Sequence, residues 1–70
     1  MTQLQAFVHD FPSWLNASLE AAHWRRADLA KRTGITKGHI SNIASGKASP
    51  TMDTVARIID ALEERLGEME

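Results

Sequence analysis

Apolar residues along the 70-residue chain recur three and four positions apart, and no stretch alternates with the period of two that a half-buried strand needs. The pattern predicts an all-α fold, cut into helix-length pieces by Pro12, Gly34, Gly46 and Pro50. A first helix is expected from about Pro12 to His23, with Leu15, Leu19 and Ala22 on one face and proline in the first turn, where its missing N–H does no harm. Phe7, Val8 and Phe11 precede it and read as an extra N-terminal turn over the core. A second helix is expected from about Arg26 to Thr33, with Leu29 and Ala30 inward. Gly34 stops it, because a left-handed residue at a helix C-terminus suits glycine.

Thr36 can cap a third helix by accepting an N–H of the next turn, which puts Ile40 and Ile43 on one face and ends the helix near Ser45 and Gly46. A fourth helix is expected to begin around Ser49 to Thr51. Met52, Val55, Ile58, Ile59 and Leu62 form its apolar stripe, and the stripe continues to Leu66 and Met69 as a short fifth helix.

A chain this short buries only about 60% of its unfolded surface and has one small core, so residues 1–70 are read as a single domain. The hydrophobic content of 43% is too high for a disordered tail. Without cysteine there is no disulfide framework, thiolate metal site or thiol nucleophile, which fits a reducing cytoplasm. The opening MTQLQAFVHD lacks a basic leader region, and no run is apolar enough to span a membrane, so a cytoplasmic chain without a membrane partner is expected.

The net charge of −1 conceals a separation of charge along the chain. Asp10 and Glu20 give residues 1–24 a charge of −2, and six acids against Arg57 and Arg65 give residues 51–70 a charge of −4. Between them, Arg25, Arg26, Lys31, Arg32, Lys37 and Lys47 against Asp28 alone make residues 25–50 +5. The middle third is a basic island.

The segment RADLAKRTGITKGHISNIAS, Arg26 to Ser45, can fold as two short helices packed at a steep angle, since Ala30 permits close approach and Gly34 supplies the turn. Leu29, Ile35, Ile40 and Ile43 then converge. A helical wheel leaves Gly38, Ser41, Asn42 and Ser45 on the opposite face, Lys37 at the exposed first turn and His39 on a flank, with no acid among them.

From about Leu15 to Leu62 the chain resembles the Cro/phage-repressor (Xre-like, lambda-repressor-like) helix-turn-helix family. The matching residues are LA at Leu29 and Ala30, GIT at Gly34 to Thr36, HISNI at His39 to Ile43, then Gly46, Pro50 and VARIIDAL from Val55 to Leu62. The resemblance implies a compact domain of four to five helices with the helix-turn-helix at about residues 26–45. It also implies a transcriptional regulator, most simply a repressor, whose second motif helix enters the major groove of double-stranded DNA. Thr36, Lys37, Gly38 and Asn42 match base-reading positions. Lys37 suits guanine O6 or N7, Asn42 suits adenine N6 and N7, and the Thr36 methyl suits a thymine methyl. Arg25, Arg26, His39, Ser41, Ser45 and Lys47 match positions that hold the DNA backbone.

Four residues depart from the family pattern. Arg25 and Arg26 stand where a small capping hydroxyl and a glutamine are common, Gly38 lacks a side chain and weakens its helix, and Ala44 stands where a glutamate is frequent.

One such unit buries roughly 600 to 1,000 Å² of its own surface when it docks, so a homodimer on two half-sites about 34 Å apart is expected. The C-terminal stripe of Leu62, Leu66 and Met69, with Phe7 or Phe11, is the expected dimer interface, unless those residues only close the core. Trp14 and Trp24 read as core aromatics, and Lys31 and Arg32 read equally well as DNA contacts or as a solvated face. His9, His23 and His39 lack metal-ligand spacing, and the serines lack His and acid partners, so no metal, no cofactor and no enzyme activity are expected. Two alternatives share the fold: an antitoxin that binds an operator and also a toxin partner, and a module used only for protein–protein interaction.

Overall fold

The computed structural model describes residues 10–70, and the expected turn at Phe7 and Val8, together with His9, lies outside them. Four helices and no strand occur among the described residues: α1 (Phe11–Ala21), α2 (Arg26–Thr33), α3 (Lys37–Ala44) and α4 (Met52–Glu68). Helices α1 and α2 each pack on both α3 and α4.

Phe11 opens α1 instead of preceding it, and Pro12 lies in the first turn. The helix ends two residues earlier than the spacing suggests, because His23 turns left-handed at φ 54°. The N–H of Trp24 reaches Leu19 O at 3.0 Å and that of His23 reaches Glu20 O at 3.1 Å, the paired bonds of a Schellman terminus with histidine in the glycine position.

No small hydroxyl caps α2, but Asp28 completes half of a capping box: its carboxylate accepts the Arg25 backbone N–H at 2.8 Å. Gly34 ends α2 at φ 78°. Two residues later Thr36 caps α3, its Oγ1 accepting from the His39 N–H at 3.2 Å. Thr51 caps α4 in the same way, accepting from Thr54 N at 3.2 Å.

The expected short fifth helix is instead the last part of α4, which runs unbroken through Leu66. Its amphipathic period never lapses between Val55 and Leu66, so nothing in the chain breaks it there.

The buried cluster takes Phe11, Leu15, Leu19 and Ala22 from α1 and its end, Leu29 from α2, Ile40, Ile43 and Ala44 from α3, and Val55, Ile58, Ala61 and Leu62 from α4. No polar residue is buried among the described residues. Burying a side chain such as Ile40 or Ile43 contributes about 1.5 to 3 kcal/mol, so these two pin α3 by one face and hold the other outward.

Two expectations about α4 give way. Met52, placed in the apolar stripe, is 69% exposed because the first turn of α4 projects past the core. Leu62, placed at a dimer interface, is 1% exposed, and Phe11 is equally buried; both fill the space beneath α1 to α3 and neither is open to a second copy. Leu66 is half-buried and Met69 exposed.

Trp14 and Trp24 sit at the edge of the cluster, partly buried. Trp14 stacks on Phe11 at 5.3 Å. Trp24 lies beneath two guanidinium groups, those of Arg32 at 5.0 Å and Arg65 at 5.7 Å. Arg65 also donates from Nε to Ala22 O at 3.0 Å, so the loop after α1 is tied to the last turns of α4.

Candidate nucleic-acid interface

With Ile40, Ile43 and Ala44 committed to the core, a turn of 3.6 residues sends Gly38, Asn42 and Ser45 to the opposite side of α3. Thr36, Lys37, Gly38, His39, Asn42, Ser45 and Lys47 are exposed, and Ser41 is half-buried. At the start of α2, Arg25 is exposed and Arg26 half-buried. The fold thus brings the start of α2, the outer face of α3 and the turn after it into one ridge.

From Leu29 to Met52 the sequence has no acidic residue, and Asp28, the acid nearest α3, has its carboxylate on the Arg25 N–H. Asp28 stands at the start of α2, and the α3 face with the turn after it is polar, basic and free of carboxylates. Its backbone is fixed at both ends: Thr36 caps the start, and Gly46, at φ 81°, lets the chain turn after Ser45. At that turn the Lys47 N–H reaches Asn42 O at 2.9 Å.

Gly38 has an ordinary helical backbone, and a Cβ added there would meet nothing within 4 Å. Nothing among the described residues requires glycine at this position.

Of the basic island, Arg32 is turned away from the ridge. It pairs with Glu68 at 3.3 Å and Glu64 at 3.6 Å on α4 while covering Trp24. Lys31 is exposed.

One residue of this region escaped the sequence reading. Asn16 of α1 donates from Nδ2 to Ala44 O at 2.9 Å and lies 3.4 Å by Oδ1 from Arg26 Nη2. An exposed asparagine on an amphipathic helix looks like any solvated residue. No signal in the sequence marks it, because its partners Ala44 and Arg26 lie 28 and 10 residues away.

Among the described residues no group of His, Asp and Glu is arranged to hold a metal, and no helix is long and apolar enough to cross a membrane.

A short all-helical domain whose second and third helices meet through a left-handed glycine, with the outer face of the third presented to solvent, is a helix-turn-helix domain. The chain belongs to the Cro/C1-type helix-turn-helix family, whose model matches residues 15–69. It is a helix-turn-helix DNA-binding regulator, in a family that is usually non-enzymatic. No curated protein and no solved structure matches the chain.

Proposed function

We propose that the chain is a sequence-specific transcriptional repressor that reads the major groove with α3. The observation that carries this reading is the acid-free, basic outer face of α3 and the turn after it, because a duplex repels carboxylates and rewards cations placed along its phosphates. Lys37 donates to guanine O6 or N7, Asn42 pairs with adenine N6 and N7, and Thr36 sets its methyl against thymine. Gly38 lets the helix backbone approach the base edges. Arg25, Arg26, His39, Ser41, Ser45 and Lys47 hold phosphates and so set register without reading sequence.

A second copy supplies the other half-site. Met52, Ile59 and Leu66 recur seven residues apart on α4, exposed or half-buried, and with Met69 they form the apolar line that a partner α4 would cover. Occupancy of the operator by this dimer is enough to exclude polymerase.

Selection from a random DNA pool followed by titration tests the reading. Lys37→Ala and Asn42→Ala relax the choice of base by about 1 to 3 kcal/mol, whereas Arg26→Ala weakens all duplexes alike and lowers the salt slope by about 0.9. Equal losses on every sequence for Asn42→Ala would rule out base reading by that residue. An apolar protein interface in place of DNA would show little salt dependence, and an antitoxin role would show as a stable complex with a second small protein.

A further inference from the structure

Asn16 lies outside every role assigned above, yet its amide touches three helices. The last four carbonyls of a helix have no partner within it, and each must find a donor elsewhere or face water. At the end of α3, Ser41 O accepts from Ser45 N at 3.0 Å, Asn42 O from Lys47 N at 2.9 Å and Ala48 N at 3.1 Å, and Ile43 O from Gly46 N at 3.1 Å. The fourth, Ala44 O, accepts from Asn16 Nδ2 at 2.9 Å. The chain's own turn satisfies three carbonyls, and a side chain from α1 satisfies the last.

The orientation of the Asn16 amide follows from its neighbours. Its nitrogen lies 2.9 Å from both Pro12 O and Ala44 O, two acceptors that only an NH₂ group can serve. A flipped amide would press its oxygen against both carbonyls. The Asn16 oxygen must therefore face the other way, toward the Arg26 guanidinium 3.4 Å away at the start of α2. Asn16 thus stands between two groups of proposed phosphate contacts: Arg26 on one side, and Ser45 and Lys47, just past Ala44, on the other.

We infer that Asn16 is a positioning residue for DNA docking, holding Arg26 in the direction of the phosphate while it ties the end of α3 to α1. The inference rests on the proposed reading in which Arg26 meets the DNA backbone. A long arginine side chain loses rotamer freedom when it binds, and one already steered by an acceptor loses less. Asn16 itself touches no base, so its effect is the same for every sequence.

The test is a double-mutant cycle on the full chain, using wild type, Asn16→Ala, Arg26→Ala and the double variant. Each is titrated with the selected operator duplex and an unrelated duplex over a range of salt, with thermal melting to establish that each is folded. Asn16→Ala weakens both duplexes by about 3- to 10-fold in the wild-type background, the range of one hydrogen bond. In the Arg26→Ala background its effect falls below about 2-fold. Asn16→Leu, which keeps the bulk and removes the polar atoms, behaves as Asn16→Ala does. An unchanged affinity for Asn16→Ala, or the same fold-loss in both backgrounds, overturns the inference while leaving the DNA-binding reading intact, provided Arg26→Ala weakens binding. Absence of duplex binding by the wild type at low salt, or no effect of Arg26→Ala, removes the reading and the inference together.

Discussion

The guanidinium of Arg32 lies 5.0 Å from the centroid of the Trp24 ring and pairs with Glu68 of α4 at 3.3 Å, so one of the six cations of the basic island is spent on tertiary structure. Arg32 ends up covering an aromatic edge of the core, and the island's charge overstates what reaches DNA. Replacing Arg32 with alanine lowers stability by about 1 kcal/mol, the sum of a partly exposed cation–π contact and solvent-screened ion pairs. Duplex affinity stays within about twofold of wild type, since no phosphate contact is lost. Melting and DNA titration of Arg32→Ala check both halves. A loss of affinity as large as that of Arg26→Ala would return Arg32 to the interface.

His23 occupies a left-handed position at φ 54° with both bonds of a Schellman terminus already made. A side chain there is strained by about 1 kcal/mol, and glycine relieves it without disturbing either bond. His23→Gly is therefore expected to raise the melting temperature by about 4 to 8 °C. A fall would show that the imidazole makes a compensating contact.

Gly38 carries the sharpest contrast between stability and binding. Its backbone is helical and its surroundings are open, so Gly38→Ala stabilises the free protein by about 0.5 to 1 kcal/mol through helix propensity. If the α3 backbone approaches the base edges there, the added methyl lowers operator affinity while melting rises. A variant that is both more stable and unimpaired in binding would show that the duplex leaves room at position 38.

Leu62 and Leu66 lie one turn apart on α4 with different burial, the first in the core and the second half-buried. Leu62→Ala costs about 2 to 5 kcal/mol of folding stability. Leu66→Ala has a smaller effect on the monomer and mainly weakens self-association, read by sedimentation across a concentration series. A monomer–dimer balance indifferent to Leu66 would move the proposed dimer surface off this face.

The helices were legible because their signals are local. Leu29 with Gly34, Thr36 with Ile40 and Ile43, and Thr51 with Val55 and Ile58 each specify a start, a stop or an inward face within a few residues. The helix-turn-helix and the outward direction of Lys37 and Asn42 follow from those faces. The end of α1 was not legible, because histidine gives no warning that it will turn left-handed. The Asn16 bridge joins positions 16 and 44, and no periodicity connects residues so far apart.

By itself, the order of residues determined that this chain is helical, where its turns fall, and that α3 carries a polar, acid-free face, because hydrophobic period and capping act over one or two turns. Only the tertiary structure decided that Leu62 closes the core, that Arg32 turns toward α4, and that Asn16 completes the end of α3 beside Arg26. Those outcomes depend on what lies across from each side chain, and packing sets that only once helices α1 to α4 have met.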